Sequence, residues 1–280
     1  MNALPELKIA SHRDSKITAL KTLLADIEQN FAPAAFASSF GAEDMVLLDL
    51  IARHFKGIEI FTLDTGRLPP ETLTLMQRTQ TRYRINVTSY TPAPQAVQNY
   101  ISSAGLNGFY ESMTKRKACC QIRKVEPLAR ALADKRAWLT GLRREQAPTR
   151  ADLALSEFDP VHALTKFNPL IDWTNDDVWD YIRAHDVPYN TLHDRGYPSI
   201  GCEPCTRAVK PGEDARAGRW WWESTAGQKE CGLHVAASDF NAEATSNMPK
   251  YASVAIKIID KDIEKVIEKN IEGNIEKVRV

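Results

Sequence analysis

Five cysteines stand in this chain of 280 residues, and four of them form two close pairs: Cys119–Cys120, and Cys202 with Cys205 in CEPC. A two-residue spacer between thiols fits zinc, an iron–sulfur cluster or a redox pair, and Pro204 stiffens the turn. The other pair is adjacent, inside the helix-like run KRKACCQIRKVEPLARAL. Neighbouring helical side chains point about 100° apart, which suits two ligands on one tetrahedral zinc poorly. A cubane offers separate iron corners, so four thiolates arranged this way fit a [4Fe–4S] cluster. Zinc, or two buried core thiols at Cys119–Cys120, stay open as alternatives. Cys231 stands alone in KECGLH (229–234), outside both pairs.

Basic residues crowd the first pair. Lys115, Arg116 and Lys117 precede it and read as a solvated face. Lys124 follows Cys120 by four residues, one helical turn, which puts it beside the cysteines and aims it towards a ligand. Arg143 and Arg144 fall in a loop after an apolar run, and Arg216 and Arg219 lie three apart in EDARAGRWWW. Arginine presents bidentate donors suited to phosphate or sulfate. The run SSFGAEDM (38–45) reads as a strand-to-helix junction, whose backbone N–H groups would face an anion. Compared with the SGGxDS loop of ATP pyrophosphatases it has one glycine, and Glu43 and Asp44 occupy the first helical turn. That suits a nucleotide with less phosphate than ATP, although a plain strand–helix turn reads the same way. Trp220–Trp222 would pin the loop to the core or shield a site.

These groups need elements to hold them. Ile17, Leu20, Leu24 and Ile27 share one helical face. Strands are expected over 33–40, 57–66, 84–90 and 136–144, with a helix after the first (Met45, Leu48, Ala52 and Phe55 inward) and another after Pro69–Pro70. Such alternation predicts an α/β fold with a parallel sheet and ligands at the carboxyl ends of its strands. From 166 a short strand leads to a helix with Thr174 as N-cap and Asp177 at its third position. Residues 186–235 lack periodicity and read as a long functional loop. From Ile259 the chain repeats isoleucine every fourth residue over five tetrads, a low-complexity extension of marginal helicity. The resulting divisions are 1–30, a helical segment; 31–200, a nucleotide-binding α/β domain; 201–249, the CEPC loop and an arm carrying Cys231; and 250–280, the extension.

Lys and Arg balance Asp and Glu at 36 each, so no global positive field is available for nucleic acid, and any anion site must be local. The first thirty residues carry Glu6, Asp14, Asp26 and Glu28 and no apolar run suited to a signal peptide, and no stretch reaches the length of a membrane span. Five cysteines without a secretion signal predict a reducing compartment, the cytoplasm by default. A homo-oligomer is left open.

With SSFGAEDM, LDTG (63–66), CCQIRK (119–124), GLRREQ (141–146), IGCEPC (200–205), AGRWWWE (217–223) and KECGLH in one order, the sequence resembles the assimilatory adenylyl-sulfate reductases. These belong to the phosphoadenylyl-sulfate reductase group, built on an adenine-nucleotide α-hydrolase-like fold, and the resemblance covers about residues 15–235. It implies that Cys231, on a mobile C-terminal segment, attacks the sulfur of adenosine 5′-phosphosulfate, leaving AMP and an S-sulfocysteine that thioredoxin or glutaredoxin reduces to release sulfite. It implies Cys119, Cys120, Cys202 and Cys205 as ligands of a [4Fe–4S] cluster, and Lys124, Arg216 and Arg219 as holders of the phosphosulfate. It implies nucleotide contacts from Ser38, Ser39, Phe40, Gly41 and Glu43, from Leu63, Asp64, Thr65 and Gly66, and from Gly141, Arg143 and Arg144. Plant relatives fuse a thioredoxin-like domain that this chain lacks, so the reductant would be a separate protein.

The chemistry agrees. A thiolate about 4 Å from an anionic sulfate meets about 4 kcal/mol of repulsion at an effective dielectric of about 20, nearly three decades in rate, which converging cations would offset. Lys229 and His234 would favour the Cys231 thiolate, Glu230 opposes it, and Gly232 lets the backbone bend. His234 reads equally as a local hydrogen-bonding residue. Thiol exchange supplies both electrons, so the cluster's expected role is structural and electrostatic. Three rival readings are the same chemistry on 3′-phosphoadenosine 5′-phosphosulfate, an ATP-dependent tRNA sulfurtransferase, and a non-enzymatic cluster or zinc module. Members of the resembled group that use the 3′-phosphorylated nucleotide usually lack the four cysteines, so the resemblance favours the unphosphorylated ribose; the second rival would want an SGGxDS loop and a basic RNA surface; the third would make Cys231 dispensable.

Overall fold

In the computed structural model, residues 3–223 and Leu233 are described, all within one unit, Met1–Val235. Lys229, Glu230, Cys231, His234 and the whole 250–280 extension with its isoleucine repeat lie outside the described residues.

A long helix, α1 (Ala3–Asn30), leads into β1 (Ala34–Ala37). There follow α2 (Ala42–His54), β2 (Ile58–Leu63), α3 (Pro70–Tyr83), β3 (Thr88–Tyr90) and α4 (Pro94–Ala104). The second half carries α5 (Met113–Cys120), α6 (Glu126–Leu132), β4 (Ala137–Leu139), β5 (Ser156–Asp159), β6 (Leu164–Phe167) and α7 (Asn175–Ala184). The six strands form one sheet in the order β3-β2-β1-β4-β6-β5, parallel except for β5 at one edge. β1 reads AAFA without alternation because it is covered on both faces, as a central parallel strand must be. Its neighbours differ in kind: β2 follows it directly, while β4 arrives after the chain has crossed the sheet. At such a switch point the loops diverge and leave a crevice at the carboxyl ends.

The five expected strands are present but shorter. Only Thr88–Tyr90 of 84–90 pairs, because Arg84 closes α3 in a left-handed conformation. Only Ala137–Leu139 of 136–144 pairs, because the chain turns away before Gly141. The antiparallel β5 and the helix α4 were not anticipated by the periodicity. Leu20, Leu24 and Ile27 are buried, with Ile17 against the same core. In α2 burial extends well beyond the four expected positions, taking in every residue from Ala42 to Ala52 except Glu43. Asp49 lies buried there and accepts from Tyr83 (2.6 Å), Tyr181 (2.8 Å) and Arg53 (2.8 Å), tying α2 to α3 and α7. Thr174 and Asp177 cap α7 reciprocally.

α5 and α6 are nearly one helix, but the ladder widens to a π turn over Gln121–Val125. The residue types account for it: Pro127 has no N–H to donate and its ring opposes the carbonyl four residues back, that of Arg123. Lys124 therefore reaches its position through a π turn rather than the expected α turn. Among the described residues no helix is long and apolar enough to cross a membrane.

Candidate active site

A cleft of about 460 Å³ opens where β1, β2 and β4 end. Ser38, Ser39, Gly41 and Glu43 line it from the turn after β1, Leu63 and Thr65 from β2, and Gly141 and Arg143 from the loop after β4. Lys124, Arg216 and Arg219 complete one wall, and Leu233 packs beside Leu128, Trp138 and Leu63 on another.

The turn after β1 is built around Asp44, whose Oδ2 accepts from the Ser39 backbone N–H (2.6 Å) and hydroxyl (2.7 Å). Burial pushes the Asp44 carboxyl up to about 6, against the pull of the Ser39 hydrogen bonds, and Glu43 adds to the rise. The loop after β4 lies hard against it: a Cβ at Gly141 would sit 2.1 Å from Asp44 Oδ1. Glu43 accepts from Arg143 Nη2 at 2.7 Å, and Arg143 also donates to Glu145 and the Trp173 carbonyl. Arg143 is thus a buried strut between two strand ends, its donors committed within the protein.

Four expected nucleotide residues lie elsewhere than on this cleft. Phe40, at φ 59°, is buried in the core cluster under α2. Asp64 accepts from the Gly66 N–H (2.9 Å), and both line a separate shallow hollow with Arg123. Arg144 pairs with Asp172 and donates to the Leu153 carbonyl.

Cys119, Cys120, Cys202 and Cys205 line one small cavity, although Cys120 and Cys202 are 82 positions apart in the sequence. The CEPC turn is a 3-10 turn over Glu203–Cys205, held by Glu203 N–H to the Arg67 carbonyl (2.8 Å) and Tyr110 hydroxyl to the Pro204 carbonyl (2.7 Å). Thr65 Oγ1 lies 3.3 Å from Cys202 Sγ. Burial pushes the Cys205 thiol up to about 12, with Lys124 and Arg219 pulling the other way, and raises Cys119 against Arg123 and Arg67. Among the described residues no three His, Cys, Asp or Glu side chains gather as one metal ion would need. Lys124, Cys202, Arg219 and Trp220 border both the cavity and the cleft, so the two adjoin.

The cavity is ringed by cations. Arg123 is buried and donates to the Thr65 carbonyl at 2.6 Å. Arg116 (4.3 Å to the centroid) and Arg219 (5.0 Å) each lie over the Trp220 ring. Arg219 packs so closely on Gly201 that a Cβ there would meet Nη2 at 2.3 Å. Lys115 pairs with Glu111 on the surface, but Arg116 corrects the expectation of a solvated face: it is 1% exposed and holds Glu223 through Nε at 2.5 Å and Nη2 at 3.1 Å. Its Nη1, and Nε of Arg219, are buried and find no hydrogen-bond partner among the described residues. One sequence signal could have placed Arg116: it precedes Cys119 and Cys120 by three and four residues, the spacing of one helical face. Gly201, Arg123 and the Glu223 pairing carried no such signal.

Residues 33–208 match the family model described as phosphoadenosine phosphosulfate reductase domain. An adenosine 5′-phosphosulfate reductase of Burkholderia cepacia is 55% identical over 221 residues, covering 79% of this chain and 88% of that protein. One from Allochromatium vinosum is also 55% identical, over 212 residues, with 76% and 82% covered. Among solved structures, phosphoadenylyl-sulfate reductase from Candida auris in a phosphate complex superposes with a TM-score of 0.58 at 27% identity, over 68% of this chain and 90% of that one. An FMN adenylyltransferase from Candida glabrata, at TM-score 0.50 and 15% identity over 85% and 78%, shares the fold alone.

Proposed function

The chain belongs to the phosphoadenosine phosphosulfate reductase family, and from that membership we propose that it reduces adenosine 5′-phosphosulfate to sulfite and AMP, with a separate thioredoxin or glutaredoxin as reductant. The observation that carries this reading is the set of cations on the cleft, Lys124, Arg216 and Arg219, of which Lys124 and Arg219 also line the four-cysteine cavity. The nucleotide lies in the cleft at the turns after β1 and β4, with its phosphosulfate towards these three side chains. Their charge offsets the repulsion a thiolate meets on approaching the sulfate. Arg143 neutralises Glu43 at the same rim.

Cys231 is the nucleophile. Leu233, two residues beyond it, packs on the cleft wall, and the covalent chain cannot put more than about 7 Å between the two Cα positions. The Cys231 sulfur forms a bond to the sulfate sulfur as the bond to the bridging oxygen breaks, and AMP leaves with both electrons of that bond. A thiolate of the reductant then attacks the Cys231 sulfur and expels sulfite. Its second thiol resolves the mixed disulfide, so two thiols are oxidised to one disulfide while sulfate sulfur becomes sulfite.

The residues around the cavity fit a [4Fe–4S] cluster. All four cysteines line it, and the buried donors Arg116 Nη1 and Arg219 Nε suit an anionic, sulfur-rich group. Cys119, Cys120, Cys202 and Cys205 would hold it. When bound it supplies fixed charge and an anchor beside Lys124, and the thiol chemistry needs no electrons from it.

The test is an intact mass spectrum after anaerobic incubation with adenosine 5′-phosphosulfate and no reductant, alongside the 3′-phosphorylated nucleotide and the Cys231→Ser variant. One sulfonate added to the wild type and none to the variant is expected. The 3′-phosphorylated nucleotide reacting faster would reassign the substrate, and no adduct with either, on iron-replete protein, would remove the reductase assignment.

A further inference from the structure

Arg116 has a place in neither the binding nor the covalent step. It lies on α5 one turn before the adjacent cysteines, on the face they share, and lines the cavity with all four. Its three guanidinium nitrogens divide their work. Nε and Nη2 grip both oxygens of Glu223, itself only 9% exposed, in the two-pronged geometry that fixes a carboxylate most firmly. Nη1 is buried and finds no acceptor among the described residues. The plane of the group is held by Trp220, 4.3 Å away. A lysine could not serve in this way, because it has no second prong for the carboxylate. Glu223 precedes Cys231 by eight residues, so the pairing holds the chain at a point eight residues short of the nucleophile.

We propose that Arg116 is a positioning residue with two partners: Nη1 donates to a sulfur of the iron–sulfur group held by the four cysteines, while Nε and Nη2 fix Glu223 and with it the root of the segment carrying Cys231. The proposal rests on the cluster assignment made above. It makes retention of iron and delivery of the nucleophile depend on one guanidinium, through different nitrogens.

The two arms are separable by variant. R116Q loses both, E223Q loses only the second, and R116K restores a charge without the fork. R116Q leaves Glu223 as an unpaired buried carboxylate, so the double variant R116Q/E223Q, which removes both charges, serves where the single one fails to fold. Two readouts are taken on anaerobically prepared protein: iron release to a chelator, with Fe–S stretching frequencies by resonance Raman, and the single-turnover rate of sulfonate transfer to Cys231 at saturating nucleotide.

The double variant should release iron about tenfold faster than wild type, with shifted Fe–S frequencies. E223Q should hold iron as wild type does, yet transfer sulfonate about tenfold more slowly with unchanged nucleotide affinity. R116K should recover part of the iron retention and none of the transfer rate. Wild-type iron release and frequencies in the double variant, or a wild-type transfer rate in E223Q, would overturn the proposal while the cluster assignment stands. Wild-type protein without iron would remove the cluster assignment and the proposal together.

Discussion

Gly201 itself carries no group assigned to chemistry, yet one methyl there should weaken substrate binding sharply. A Cβ at Gly201 would lie 2.3 Å from Arg219 Nη2, 2.6 Å from Cζ and 2.9 Å from Nη1. Ordinary contact needs about 3.5 Å, so the guanidinium must retreat by about 1 Å. It cannot swing into solvent at no cost, because Arg219 is 7% exposed, stacked on Trp220 and hydrogen-bonded to the Ile200 carbonyl. A displacement of that size would break the charge-assisted hydrogen bond proposed between Arg219 and the sulfate, worth about 1.5–3 kcal/mol, or about tenfold to a hundredfold in Kd. The assay is calorimetric binding of adenosine 5′-phosphosulfate and of AMP in a Cys231→Ser background, which blocks turnover. G201A should lose that factor for the phosphosulfate and much less for AMP, which has no sulfate. In combination with R219A it should add almost nothing, since both act through one guanidinium. Unchanged binding of the phosphosulfate, or losses that add in full, would refute the assignment of Arg219.

Asp44 and Arg143 give two further tests. The Asp44 carboxyl is raised from 3.8 to about 6, so between those values the folded chain holds more protons than the unfolded one and stability falls as pH rises; above about 6 the cost is complete, about 3 kcal/mol. D44N should therefore gain on wild type in urea unfolding between pH 4 and pH 7, and a constant difference would show that Asp44 titrates normally. R143M strands Glu43 beside the cleft and should cost about 3–5 kcal/mol, most of it recovered by adding E43Q. A loss within 1 kcal/mol or so would mean that Arg143 is no strut.

The sheet was legible because its central strands are short apolar runs separated by helices with a clear inward face, as Leu20, Leu24 and Ile27 show. Boundaries were less so: β3 begins only at Thr88 because Arg84 closes α3 in a left-handed conformation, a turn that apolar patterning does not mark. β5 was invisible because SEFD has a strand's length but half-exposed residues, and what recruits it is the edge of β6. In the site, cysteine spacing found the four residues that meet, since residue type and pairing survive folding. The arginines divided differently. Type alone cannot distinguish Arg143, committed to Glu43, from Arg219, with a donor left over; that depends on partners distant in sequence. Arg116 reads as surface because its neighbours are basic, whereas the helical phase that buries it is shared with the cysteines.

The balance of charge has a kinetic consequence. Arg116, Arg123, Arg143 and Arg219 are buried around the cleft and the cysteine cavity of a chain whose formal charge sums to zero. At physiological salt, fields between exposed charges fade over about 8 Å, so these cations cannot draw in an anion from afar. A dianionic nucleotide then arrives by unguided diffusion and is sorted only once it touches the rim. Discrimination among anions therefore resides in how slowly the right one departs, and added salt should shorten its residence more than it slows its arrival.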